Sequence, residues 1–366
     1  MAGLSPDEFS YQKTHIHQDQ GPKIIGISTF LVILTSVAVV SRFIARRSRN
    51  MRYGWDDWLC VPALILIIGM CALNVISIPF GLGKHLLATD PAKTYKILQI
   101  GWILSLFYTL SHFFIKMAIL SCYIRIFTLN IRWFKYTVYT MMFYVSAWTI
   151  SLFVVELTKC RPISYFWESR NISRRLPAVG RCTNNNDLAI ISTAALNTVG
   201  DIALLVLPIT VLWRLNFSKK TKLGVIGIFC FGIFACIASM LRLIYTVKLF
   251  EHTIDITWHM VNLYLWTSIE AAIGILCACF PVIGPLLATL GRNVIALVGK
   301  PGEDSTSMDM SKIPDGSRYS NIRRWPKSKQ EPEKLLDFVY PLNAKNGGSA
   351  RTDEYIVYTS LKTSPV

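Results

Sequence analysis

The sequence predicts an all-α polytopic membrane protein: a bundle of seven transmembrane helices with the N-terminus outside and the C-terminus in the cytosol. Three observations carry that expectation. Hydrophobic residues make up 52% of the chain and charged residues only 16%, a balance unlike that of soluble domains. The apolar residues gather into seven long segments, and lysine and arginine are divided unevenly among the connections. A net charge of +16 would suggest nucleic acid for a soluble protein. Here the basic residues sit between and after apolar runs, where they orient a chain in a bilayer, so the expected partner is lipid and not nucleic acid.

A helix rises about 1.5 Å per residue and needs about 20 apolar residues to cross a hydrocarbon core of about 30 Å. Lys23–Arg42, Trp58–Phe80, Ile97–Phe127, Tyr136–Leu157, Leu188–Trp213, Leu223–Phe250 and Trp258–Leu290 each reach that length with almost no polar face. Residues 1–22 read as a short extracellular segment and 23–290 as the transmembrane domain. Asp7, Glu8 and Asp19 precede the first apolar run, so an uncleaved anchor is expected in place of a signal peptide.

Ahead of the second helix, Trp55-Asp56-Asp57-Trp58 offers Asp57 as an N-terminal cap and two tryptophans for the membrane interface. Gly81-Leu82-Gly83-Lys84-His85 lacks the ending of a phosphate loop and reads as a tight outer turn. In the third segment, Gln99–Phe127, the apolar run is interrupted by His112 and Lys116 and closed by Arg125. With Arg125 at an interface, Lys116 lies about 13 Å inside. A lysine at that depth costs several kcal/mol in isolation and is expected to face the interior with a partner.

The fourth connection brackets a polar stretch between Cys160 and Cys182, a span suited to a disulfide in an oxidising compartment. It contains a glycosylation sequon at Asn171. The other seven cysteines lie in or beside apolar runs and read as small buried hydrophobes. Pro62, Pro79, Pro208, Pro281 and Pro285 mark kinks or helix ends. After Leu290, Gly291–Lys300 reads as a short interfacial helix, and 291–366 as a whole as a cytosolic tail too polar to fold.

Orientation follows from basic residues. The first, third and fifth connections with the tail hold 24 lysines and arginines, against 12 on the opposite side; Lys116 and Arg242 are intramembrane. The richer side is expected to be cytosolic.

With that orientation, depths from the outer helix ends are about 20 Å for Asp201, 18 Å for Glu270, 13 Å for Arg242 and 28 Å for Lys116. Helical side chains lean toward the N-terminus, outward for Lys116. Its ammonium can then reach Asp201, with Glu270 as the second choice, while Arg242 and Glu270 suit each other. Asn197 shares a helix face with Asp201, His112 with Lys116, and Trp266 with Glu270. These seven residues are the ligand-binding or switch candidates; the alternative is a structural role, in which the buried pairs only fix helix packing.

The residues also match a known pattern. Trp55-Asp56-Asp57-Trp58; Gly81-Leu82-Gly83-Lys84-His85; Phe113-Phe114-Ile115-Lys116 running into Tyr123-Ile124-Arg125-Ile126-Phe127; Cys160-Arg161-Pro162 with Trp167 and Cys182; Asp201 with Leu207-Pro208; Ser239-Met240-Leu241-Arg242; and Trp266, Glu270 and Cys279-Phe280-Pro281 occur in order from about Pro22 to Leu290. In these the chain resembles the fungal rhodopsin-domain family, whose members include pathogenesis-related receptor-like proteins. The resemblance implies a seven-helix, receptor-like membrane protein. Some relatives carry an extracellular cysteine-rich domain; the N-terminal segment here has no cysteine, so that domain is not expected.

Retinal proteins hold the chromophore on a lysine of the seventh helix, and Trp258–Leu290 contains none. Neither retinal nor any other cofactor is expected. A seven-helix zinc hydrolase would need clustered histidines, and no His-x-x-x-His pair or Gly-x-Ser-x-Gly elbow is present, so the chain is not read as an enzyme. The leading expectation is a plasma-membrane receptor of the G-protein-coupled type, binding an external ligand and engaging a heterotrimeric G protein through basic loops. A transporter or channel with the buried charges lining its path is the alternative.

Overall fold

The computed structural model describes residues 10, 12–127, 132–169, 179–182, 186–212, 219–251 and 255–298; side chains at 91–92, 126–127, 186–187, 210–212, 219–228, 250–251 and 285–298 lie outside that description. Among the described residues, seven helices are long and apolar enough to cross a membrane. They are α1 (Gly21–Ser48), α2 (Cys60–Ser77), α3 (Pro91–Phe127), α4 (Arg132–Thr158), α5 (Asn186–Leu212), α6 (Lys219–Glu251) and α7 (Ile256–Val298). A single helical turn, Trp55–Trp58, leads into α2, and a 3-10 turn, Ile78–Phe80, ends it.

Each helix packs on its neighbours in sequence, and α7 returns to pack on α1, closing the ring. Within the ring α3 also touches α7, and α7 reaches α2. These two helices have the most buried apolar windows, at 50% each against 28% for α4 and α6. The outward faces carry large apolar side chains such as Phe30, Ile65, Phe143 and Phe234, each more than 60% exposed, as lipid-facing positions require. Small residues let backbones approach in the interior. A Cβ added at Gly274 of α7 would lie 3.0 Å from Ile115 of α3, so these helices meet closely and a larger residue there would require Ile115 to give way.

α1 begins at Gly21, and it runs past Arg42 to Ser48. α5 passes through Pro208, and α7 through Pro281 and Pro285, without a break in the helix. Pro62 stands in the first turn of α2 and Pro79 in the 3-10 turn after it, as helix ends. α7 continues unbroken to Val298, so no separate helix starts at Gly291. An apolar helix extended by one or more polar turns keeps its hydrogen-bond ladder, which a hydropathy reading alone does not register.

At the end of the bundle where α1 begins, Gly81 and Gly83 adopt φ of +106° and +94°, left-handed values that cost a glycine little. The turn they make is a hub. Gly83 accepts from the Gln20 N–H and donates to the Thr257 carbonyl, both by backbone bonds, and Thr257 Oγ1 donates to the Lys84 carbonyl. His85 Nδ1 lies 2.6 Å from Asp255 Oδ2, and its ring stacks on Trp258 at 4.2 Å. The turn thereby ties α1 to the start of α7.

At the same end, the connection after α4 forms a small hairpin in which β1 (Cys160–Arg161) pairs antiparallel with β2 (Arg181–Cys182), with Cys160 opposite Cys182. A disulfide joins those two cysteines, as the sequence led us to expect. A helical turn inside the connection, Tyr165–Glu168, packs on α3, with Trp167 against Trp102 at 5.8 Å. The sequon at Asn171 lies outside the described residues.

Candidate functional site

Four helices deliver polar side chains to one level of the bundle. α3 presents Tyr108, His112 and Lys116, each four residues after the last and therefore stacked on one face. α5 presents Asn197 and Asp201 by the same spacing, α6 presents Arg242 and α7 presents Glu270. Lys116, Asn197, Arg242 and Glu270 are buried, and Asp201 is 13% exposed.

Lys116 Nζ lies 2.9 Å from Asp201 Oδ1. It also donates to Asn197 Oδ1 at 2.7 Å and to the Asn197 carbonyl at 3.3 Å. Arg242 Nε donates to Glu270 Oε2 at 2.6 Å, and Arg242 Nη2 to the Ala194 carbonyl at 3.4 Å. These are the two pairings that depth along the helices suggested. The formal charges cancel, two against two, so no net charge is carried into the bilayer.

Asn197 joins the pairs. Its Nδ2 donates to Glu270 Oε1 at 2.8 Å and to Asp201 Oδ2 at 3.2 Å, while its Oδ1 accepts from Lys116. An amide is suited to that position because it accepts from a cation and donates to two anions at once. The cations on one side and the carboxylates on the other fix which way the amide points.

Aromatic rings complete the surroundings. Tyr108 OH reaches Glu270 Oε1 at 3.5 Å, and its ring lies 5.0 Å from the Arg242 guanidinium. The Trp148 ring of α4 lies 5.3 Å from Lys116 Nζ, while its own N–H donates to the Thr193 carbonyl. Both cations therefore rest over an aromatic face, a favourable electrostatic arrangement. Tyr108 and Trp148 had no signal in the sequence, because an aromatic in an apolar run looks like any lipid-facing residue.

His112 and Trp266 stand at the margin. His112 is buried beside Tyr108 at 4.3 Å between ring centroids, and its Nε2 has no hydrogen-bond partner among the described residues. Trp266 is half-buried and makes no hydrogen bond to the network among the described residues.

A second cluster, at the far end of the bundle, was not anticipated. Arg42 and Arg46, counted above as loop charges, lie on α1 and are 1% and 0% exposed; Asp56 and Asp57 are equally buried. Both arginines use the same fork: Nε to Asp57 Oδ1, at 2.7 and 3.0 Å, and Nη2 to Asp56 Oδ2, at 2.5 and 2.6 Å. Arg42 Nη1 also donates to the Ala278 carbonyl of α7. Asp57 still serves as a cap, accepting from the Gly54 N–H at 2.9 Å. Arg125 of α3 approaches from outside, 3.2 Å from Asp56 Oδ1, with Nη2 on the Arg52 carbonyl at 2.8 Å. The signal was present in the sequence as two arginines four apart followed by two adjacent aspartates.

Against known proteins, the sequence model described as the fungal rhodopsin domain matches residues 41–289. A "SAT4 family membrane protein" of Emericella nidulans is 28% identical over 80% of this chain and 66% of its own length, so the match spans just under two thirds of that relative. The "Polyenoic acids biosynthesis gene cluster protein Ba17b" of Metarhizium anisopliae is 29% identical over 74% of each chain. "Receptor GIN3" of Arthrobotrys oligospora is 23% identical over 86% of this chain and 74% of its own. No solved structure matches significantly.

Proposed function

The chain belongs to the fungal rhodopsin-domain family, and from that premise we propose that it is a receptor: it senses an external ligand and passes the signal to the cytosol by rearranging its buried charge network. The observation that carries this reading is the closed network of Lys116, Asp201, Asn197, Glu270 and Arg242, which links α3, α5, α6 and α7 through hydrogen bonds in the membrane interior. Such a network has few arrangements that satisfy every member, so it supports discrete states better than gradual ones. The relative named as a receptor adds support. In this reading the α1 start and the disulfide hairpin face outward, the far-end cluster faces the cytosol, and the protein resides in the plasma membrane. A heterotrimeric G protein is the cytosolic partner such a receptor would use.

The Metarhizium relative is named for a biosynthesis gene cluster, which raises transport or catalysis as other readings. For catalysis by a metal, no group of three His, Cys, Asp or Glu among the described residues is placed to hold an ion. Transport is separated by experiment. Membranes bearing the wild-type chain, Lys116→Met or Asp201→Asn are screened for a second-messenger response and for solute flux. A response without flux that both variants lose supports the receptor. Ligand-driven flux, or normal responses in both folded variants, overturns it.

A further inference from the structure

We propose that the central network and the far-end cluster form one coupled device, in which Arg125 is the member that detaches when the central network rearranges. The proposal rests on the switch reading above, but it concerns transmission within the protein and holds whatever the external ligand is.

Two helices hold both clusters. α3 carries Lys116 in one and Arg125 in the other; α7 carries Glu270 in one and supplies the Ala278 carbonyl to the other. The separations are nine and eight residues, so each helix is a lever of about 12–14 Å. Between the clusters the two levers and α2 share one apolar core. It includes Ile115 and Ala118 of α3, Ala271 and Ile275 of α7, and Cys60 and Ile67 of α2. Close-packed cores shift between arrangements without deforming smoothly. A displacement of α3 relative to α7 at the level of Lys116 is thus felt at Arg125.

Charge balance identifies the detachable group. Arg42 and Arg46 against Asp56 and Asp57 make a quartet that is formally neutral by itself. Arg125 is a fifth charge added at the rim. It is 28% exposed, while the quartet is at most 2% exposed. Pulling a partner out of a buried ion pair strands an uncompensated charge; withdrawing Arg125 strands none, since the quartet remains neutral and the guanidinium passes to water. The cluster has a fixed part and a removable one.

A native reporter lies beneath it. Cys60 is 1% exposed, bonds through Sγ to the Asp56 carbonyl four residues back and belongs to the shared core; in this proposal it is uncovered when the cluster opens. Gly54 supplies a perturbation that changes no charge. Its backbone is extended (φ −115°), which alanine accepts, yet a Cβ there would collide with Asp56 Oδ1 and lie 2.7 Å from Arg125 Nη1.

The test is the alkylation rate of Cys60 in the purified full chain, mapped by peptide mass spectrometry and expressed against complete labelling of the denatured, reduced chain. Arg125→Gln and Gly54→Ala are expected to raise the rate directly. Lys116→Met, about 13 Å away, is expected to raise it at least fivefold, the lower bound of ordinary allosteric coupling. Asp201→Asn breaks the same pair from the other side and stands in if Lys116→Met does not fold. Wild-type Cys60 rates in Lys116→Met or Asp201→Asn, with raised rates in Arg125→Gln, show two independent clusters and overturn the proposal. Unchanged rates in both Arg125→Gln and Gly54→Ala overturn it as well, since Arg125 would then not be what closes the cluster. The receptor reading fails separately, on ligand response.

Discussion

Asn197 donates to Glu270 across 2.8 Å, and through that contact two ion pairs on four helices become a single network. Replacing Asn197 by Asp keeps the shape and removes both donors, setting a third carboxylate against Asp201 and Glu270. Asn197→Leu removes the bridge without adding charge. We expect Asn197→Asp to lower the thermal midpoint in detergent further than Asn197→Leu, although its side chain is closer in size. The opposite order would show that the amide is not holding two anions. Polar contacts in membranes are individually modest, averaging about 0.6 kcal/mol, so any large Asp effect reflects repulsion and not a lost hydrogen bond.

The Lys116–Asp201 pair is separated from its surroundings by a double-mutant cycle. Each single change leaves the other charge buried and unmatched, at a cost of about 3–5 kcal/mol. Lys116→Met with Asp201→Asn removes both charges together and is expected to cost less than the sum by about 1–3 kcal/mol, the range for residues in one network. Denaturant or thermal unfolding of the four proteins gives the coupling. Additivity would mean that the 2.9 Å contact contributes nothing as a pair.

Depth along a helix favoured Asp201 over Glu270 as the partner of Lys116 and matched Arg242 with Glu270, because intramembrane charges are few and each needs a partner. The far-end quartet escaped that reasoning. Arginines at the end of an apolar run look interfacial when hydropathy sets the helix boundary at Arg42, whereas α1 continues to Ser48 and turns Arg42 and Arg46 inward. Helix ends are fixed by backbone hydrogen bonds, which composition does not encode. Asn197 was legible as a polar residue facing the interior. Its role as a bridge was not, since that depends on the Lys116 and Glu270 side chains meeting it from opposite sides.

The disulfide makes a count. Cys160 and Cys182 are joined and seven cysteines are free. Alkylation of the denatured, unreduced chain is expected to add seven adducts by intact mass, and nine after reduction. Nine before reduction would mean that the hairpin is held by β1 and β2 alone.

At the end of the bundle where α1 begins, His85 and Asp255 clasp the Gly81–His85 turn to the start of α7, with Asp255 Oδ1 also accepting from the Leu86 N–H at 3.0 Å. Asp255→Asn keeps an acceptor for one of these and weakens the other, while Asp255→Ala loses both. Hydrogen exchange of residues 82–89 is expected to rise in the order wild type, Asn, Ala, with the Ala variant opening by about 1–3 kcal/mol more readily. Equal protection in all three would place the stability of the turn in the Gly83 and Thr257 backbone bonds.

The quartet tests whether geometry or charge holds α1 to α2. Arg42 and Arg46 each span two carboxylates, Nε to Asp57 and Nη2 to Asp56, and Arg42 reaches Ala278 with its third nitrogen. A lysine keeps the charge but is a single point and cannot bridge both acids in the same plane. Arg42→Lys is therefore expected to destabilise by about 2–3 kcal/mol, most of what loss of charge-assisted hydrogen bonds can cost. Arg47→Lys, the same change at an exposed position of the same helix, is expected to change stability by at most about 0.5 kcal/mol. Thermal unfolding of the two variants reads the difference. If Arg42→Lys unfolds with the wild type, the fork is incidental and any cation at that position would serve the bundle equally well.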